Sequence, residues 1–145
     1  MKRRILLVDD DLAVLLTLKT VLEMNGFEIE TASSTAEAIA RMESGVYQMV
    51  ITDLRMETDE AGIEVIRAAH RQSYAPATAL LTAYPPDDET QQRGGKDRPD
   101  SLLIKPLGTK DLIRQVEALL IRQADLLQMR QREGEPTQLP KRSVG

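Results

Sequence analysis

The chain has 145 residues, 41% apolar and 29% charged, which suits one domain with a sizeable core and a short appendage. A net charge of −4 with no clustered basic stripe argues against nucleic-acid binding, and 3% aromatic residues leave the core to Leu, Ile, Val, Met and Ala. The lack of Cys excludes a disulfide framework and a thiolate metal site, and it fits a reducing compartment.

The basic start at residues 1–4 leads into an apolar run that stops at Asp9, Asp10 and Asp11, too short for a signal peptide. Apolar runs elsewhere never reach membrane-spanning length, so the expectation is a soluble, cytoplasmic protein. Residues 5–8 read as a buried strand with acids at its carboxyl end. Leu12, Leu15, Leu16, Leu18, Val21 and Leu22 then recur at helical spacing until Asn25-Gly26 supplies a left-handed stop. Residues 27–32 alternate as a second strand. Ser34 or Thr35 can cap a helix holding Ala38, Ile39 and Met42, which Gly45 ends.

Residues 47–51 form a nearly continuous apolar segment, a third strand buried on both faces, and it delivers Asp53 to its end. Ile63, Val65, Ile66 and Ala69 mark a third helix, 77–82 a fourth strand, and 102–104 a fifth. From Thr109, the residues Leu112, Ile113, Val116, Leu119 and Leu120 mark a final helix. It continues through Ile121, Leu126, Leu127 and Met129 to about Arg132, longer than packing on a sheet requires. This strand–helix alternation predicts an α/β fold, a doubly wound five-stranded parallel sheet with helices on both faces and right-handed crossovers.

Polar residues fall at the carboxyl ends of four strands: Asp9 and Asp10, Asp53, Thr82 and Lys105. Ligands of open α/β sheets bind beyond those ends. Each residue also has a local reading, Asp53 as a cap or turn residue, Asp11 as a first-turn helix acid, Thr82 as a turn residue and Lys105 as a solvated strand end. Together they suggest more. Converging carboxylates repel unless a cation sits among them, and an all-oxygen set suits Mg2+. Adding the Thr82 hydroxyl and the Lys105 ammonium makes a phosphoryl pocket with Asp53 as nucleophile.

The segments ILLVDDD, VITDLRM, LLTAY and LLIKPL, in this order and spacing, resemble the receiver domain of two-component response regulators over roughly residues 3–121. The resemblance implies the flavodoxin-like strand order 2-1-3-4-5. It implies that Asp53 accepts phosphate from a histidine kinase or phosphotransfer protein, with Asp9, Asp10, Asp53 and the backbone carbonyl of Arg55 around Mg2+. Thr82 and Lys105 would engage the phosphoryl group, Lys105-Pro106 would be a cis bond, and Arg55 and Tyr84 would occupy positions that tune dephosphorylation. The implied protein is no enzyme beyond accepting and losing its own phosphoryl group. Its expected organisation is a receiver at 1–121 followed by a helical extension and disordered tail at 122–145. It would signal through protein contacts without a DNA-binding domain, with possible self-association through the last helix. His70, beside Arg71, is assigned to the surface without a role.

Three departures from the family stand out. The loop 57–62 is acidic and longer where Pro is usual, and Leu102 replaces the aromatic switch residue of the fifth strand. Residues 84–99 contain no Leu, Ile, Val, Met or Phe, predicting an irregular or polar fourth helix. Two alternatives follow. One is a pseudo-receiver that binds partners without phosphorylation. The other is a hydrolase resembling the haloacid dehalogenases, with Asp9 as nucleophile and Asp11 as acid, although that family needs a further acidic pair.

Overall fold

The computed structural model describes residues 3–83, 98–105 and 108–134, with side chains to residue 129. Among the described residues, five parallel strands and four helices follow in the order β1 (Arg4–Val8), α1 (Leu12–Met24), β2 (Glu28–Ala32), α2 (Thr35–Ser44), β3 (Met49–Thr52), α3 (Ala61–His70), β4 (Ala77–Thr82), β5 (Ser101–Ile104) and α4 (Thr109–Gly134). The sheet order is β2-β1-β3-β4-β5, the expected doubly wound arrangement.

Strand alternation sorts the core into two layers. Ile5, Leu7, Met49, Ile51, Ala79, Leu81 and Leu103 face one side, where Leu15 and Leu22 of α1 and Leu112, Val116, Leu119 and Leu120 of α4 cover them. Leu6, Val8 and Val50 face the other, against Ala38 and Met42 of α2 and Val65, Ala68 and Ala69 of α3. Leu54, Ile63, Ile66 and Leu80 extend this second layer beneath the carboxyl end of the sheet. At the β5 edge, Leu102 and Ile104 remain 37% and 38% exposed.

The helix ends follow local chemistry, with two corrections. Asp11 is not a first-turn acid but the N-cap of α1, its carboxylate accepting from Ala13 N at 3.0 Å and Val14 N at 3.4 Å. His70 does more than sit at the surface: its Nε2 lies 3.3 Å from the buried Thr78 hydroxyl. Gly26 takes φ +91°, the left-handed stop that Asn25-Gly26 promised. Ser34 caps α2 by accepting from Glu37 N at 3.1 Å, and Glu37 reaches back to Ser33 N at 2.7 Å.

Helix α4 runs on past the sheet as expected, leaving Ile121, Leu126 and Met129 exposed, while Gln123 donates to the carbonyl of Ala75. Ala75 holds φ 47°. The expected irregular segment 84–99, except residues 98 and 99, lies outside the described residues. So do Tyr84, the Lys105-Pro106 bond and the tail beyond 134. No helix among the described residues is long and apolar enough to cross a membrane.

Candidate functional site

The site is built by three strand ends that each run one residue past the sheet. Asp53 N donates to Val8 O at 2.9 Å, Asp9 N to Ala32 O at 3.1 Å, and Lys105 N to Thr82 O at 2.8 Å. The parallel ladder therefore holds the Cα atoms of Asp9 and Asp53 in register, with Thr82 one position and Lys105 two positions further along the strand direction, and the side chains meet above the strand ends.

Asp9 is 4% exposed. Its Oδ1 accepts from Asp11 N at 3.0 Å and its Oδ2 from Lys105 Nζ at 2.9 Å. The same ammonium stands 3.9 Å from Asp53 Oδ2. Asp53 Oδ1 accepts from Leu54 N at 2.8 Å, and the Thr82 hydroxyl also bonds this carboxyl. Burial pushes the Asp53 pKa up, the Lys105 charge opposes it, and the Asp9 carboxylate adds to the rise.

Asp10 is the exposed member of the cluster, yet carboxylate oxygens of Asp9, Asp10 and Asp53 all come within 4.8 Å of one another. Three acids this close, two of them withdrawn from solvent beside one ammonium, leave uncompensated negative charge. An all-oxygen donor set of this kind fits a hard divalent cation such as Mg2+. Sequence reasoning thus named Asp9, Asp10, Asp53, Thr82 and Lys105, and the fold brings all five together. Arg55 follows Leu54 at the rim of the site, with its side chain exposed.

Two contributors escaped it. Thr52 donates its hydroxyl to Asp53 O at 2.9 Å. Gly62 stands against the same carbonyl: a Cβ there would fall 2.2 Å from Asp53 O and 2.7 Å from Leu54 Cα. A glycine in the first turn of a helix, where no left-handed turn is needed, is the available sequence signal for so close an approach.

A doubly wound 2-1-3-4-5 sheet with acids, a hydroxyl and a lysine at its strand ends defines the class of the protein, and direct comparison gives the family. The response regulator receiver domain model matches residues 5–117, and the chain belongs to that family. The CpxR homolog of Haemophilus influenzae, a transcriptional regulatory protein, is 34% identical over 121 residues, covering 83% of this chain and 52% of the relative. The regulatory protein VanRB of Enterococcus faecalis is 34% identical over 140 residues, covering 97% and 62%. The chain thus spans about half to three-fifths of the length of these curated relatives. Among solved structures, a CheY-like receiver domain protein from Methanospirillum hungatei aligns with TM-score 0.77 and 27% identity, over 86% of this chain and 98% of that one. TrrA from Thermotoga maritima, in complex with Mg2+-BeF, aligns at 0.69 and 31%, over 81% and 98%.

Proposed function

We propose that this receiver domain is a phosphorylation switch in which Asp53 takes a phosphoryl group from a histidine kinase or phosphotransfer protein in an Mg2+-dependent reaction. The observation that carries the reading is the Asp53 carboxyl itself. One oxygen is held by Leu54 N–H, and the other faces the Lys105 ammonium beside the Asp9 carboxylate.

Asp9, Asp10, Asp53 and the Arg55 carbonyl would hold Mg2+, which supplies charge neutralisation for the transferring phosphoryl oxygens. With Oδ1 tied to Leu54 N–H, Oδ2 on the Lys105 side is the oxygen placed to attack phosphorus in line with the phospho-imidazole nitrogen. The P–N bond breaks as the P–O bond forms, and the leaving imidazole takes a proton. Lys105 exchanges its Asp9 contact for a phosphoryl oxygen, and the Thr82 hydroxyl turns onto the same group. The new charge shifts the balance between two conformations that differ in affinity for a protein partner. Phosphoryl donors of this kind place the reaction in the cytoplasm. The protein acts as a phosphoacceptor rather than an enzyme on other substrates.

Incubation with Mg2+ and acetyl phosphate, followed by intact-mass measurement, tests this. A single labile phosphoryl adduct on the wild type and none on Asp53→Ala is the expected result. No adduct despite intact Mg2+ binding favours the pseudo-receiver, a reading supported by the half-exposed Leu102 at the family's aromatic position. The hydrolase alternative loses its acid, because Asp11 is engaged in capping α1. Exposed Ile121, Leu126 and Met129 support self-association through α4, for which sedimentation of Leu126→Glu against wild type is the test.

A further inference from the structure

The acidic loop after Asp53 introduces carboxylates next to a site already crowded with them, and the structure shows where one of them goes. Glu57 turns away from Asp53 and docks on the start of α2. Its Oε1 accepts from Thr35 N at 3.0 Å and from the Thr35 hydroxyl. Thr35 is the first residue of α2 and is buried, and its amide is one of the donors that an α-helix leaves without an internal partner. A carboxylate at that end also meets the positive pole of the helix. The Glu57 charge is thereby held by α2 rather than added to the Asp9, Asp10 and Asp53 cluster.

This contact is one of several anchors on a single short segment. On the near side, Leu54 is buried, its N–H holds Asp53 Oδ1, and its carbonyl accepts from Gly62 N at 2.7 Å. On the far side, Met56 packs against the layer containing Ala38 and Met42 of α2, and its amide donates to Thr58 O at 3.1 Å. Arg55, whose carbonyl the phosphoacceptor reading assigns to Mg2+, lies between these anchors. On the far side the Glu57–Thr35 contact thus joins Met56 packing and a local turn in holding the segment against α2.

We propose that Glu57 is a positioning residue for the Asp53 site. Its hydrogen-bonded clamp on Thr35 holds the Arg55 main chain in the place a divalent cation requires, and it couples the start of α2 to the phosphoacceptor loop. The inference rests on the phosphoacceptor reading above.

The test uses the whole chain with Glu57→Ala, Glu57→Gln and Thr35→Val. Mg2+ binding is followed by calorimetry, labelling by acetyl phosphate at limiting and saturating Mg2+, and amide exchange of residues 54–56 in metal-free protein. Glu57→Ala should weaken Mg2+ binding about tenfold, the lower end for groups that orient metal ligands. It should slow labelling at limiting Mg2+, recover at saturation, and speed exchange at 54–56. Gln keeps an oxygen that accepts both bonds, so Glu57→Gln should stay close to wild type. Thr35→Val, which keeps the amide and loses the hydroxyl, should show part of the loss.

Glu57→Ala with wild-type Mg2+ affinity and exchange overturns the proposal, even if its melting temperature falls. An equal loss in Glu57→Gln overturns the hydrogen-bonded clamp. If Glu57→Ala does not fold, Thr35→Val decides by the same readouts. A wild type that neither binds Mg2+ nor accepts phosphate overturns the phosphoacceptor reading itself, which separates that failure from this one.

Discussion

Replacing Gly62 with Ala tests whether the first turn of α3 supports the main chain of Asp53. The added methyl would sit 2.2 Å from Asp53 O, 2.7 Å from Leu54 Cα and 3.0 Å from Asp53 C, while ordinary contact begins at 3.4 Å. The gap to be opened is about 1.2 Å against the oxygen. All three obstacles are backbone, so no side chain can swing aside. The Gly62 N to Leu54 O bond of 2.7 Å and the Thr52 hydroxyl on Asp53 O resist the movement.

Forcing extra volume into such a place costs about 1–3 kcal/mol or more. Alanine's better helix propensity returns about 1 kcal/mol. A net loss of about 1–2 kcal/mol is expected, since the three close backbone contacts put the cost in the upper part of that range, and the urea midpoint should fall by about 0.5–1 M for a domain of this size. Because the displaced atoms belong to the residue proposed as phosphoacceptor, phosphate uptake should slow by roughly 10- to 100-fold, as misplacements near 1 Å do. Gly26→Ala is the control. No atom lies within 4 Å of its Cβ, and only its φ of +91° is strained, at about 1–2 kcal/mol, so stability should fall with labelling unchanged. Urea denaturation and mass-resolved labelling of both variants decide. A Gly62→Ala protein with the wild-type midpoint and labelling rate refutes the reasoning.

Other perturbations have equally definite signs. Asp53 has its pKa raised by burial, so its contribution to stability is full below the ordinary carboxylate value and is lost as pH rises through the folded value. Asp53→Asn should therefore raise the melting temperature of the metal-free protein at pH 7, with the difference closing below about pH 4. An unchanged melting temperature at pH 7 would count against it. Lys105→Met removes the cation 2.9 Å from Asp9 Oδ2, so Mg2+ should bind tighter, about fivefold for a partly screened charge, while labelling slows; calorimetry showing weaker binding would contradict this. Tyr47 donates to Glu30 Oε1 at 2.7 Å, the largest cause of the lowered Glu30 pKa, and its own pKa is pushed up to about 12 by burial. Tyr47→Phe should cost about 1 kcal/mol in urea at pH 7. The stability from a lowered carboxylate is lost as pH falls through its folded value, so this cost should shrink in acid.

Much of this site was legible because it hangs on strand ends. Residues 5–8 and 47–51 announce themselves as buried strands, and in a parallel sheet whatever follows such a strand is carried to the same edge. Asp9, Asp53 and Lys105 needed only the correct strand ends to be found. Glu57 and Gly62 belong to a loop, where no period constrains the side chains. The Glu57–Thr35 bond joins residues 22 apart, and an acid among Thr58, Asp59 and Glu60 reads as solvated until the partner helix is in place. Asp11 misled for a related reason: a cap and a first-turn acid differ by one residue, below the precision of a periodicity argument. His70 looked like a polar helix end because the Thr78 hydroxyl it meets lies in a strand that otherwise reads as apolar.

The charge arrangement argues that cation binding and fold stability are linked in this domain. Asp9 is buried and Asp53 nearly so, and the described cation that contacts both is Lys105, whose ammonium favours Asp9 at 2.9 Å over Asp53 at 3.9 Å. Asp53 is therefore the less compensated of the two, in keeping with its raised pKa. On the proposed phosphoacceptor reading, a divalent ion among the three carboxylates would compensate Asp53 directly and would free Lys105 to move toward an incoming phosphoryl group. Any ion that binds the folded site and not the unfolded chain stabilises the fold by mass action, about 2.7 kcal/mol at a hundredfold excess over Kd. The repulsion among the three carboxylates is thus the same interaction that would recruit an ion, and Asp53→Asn should lower that repulsion and any stabilisation by Mg2+ together.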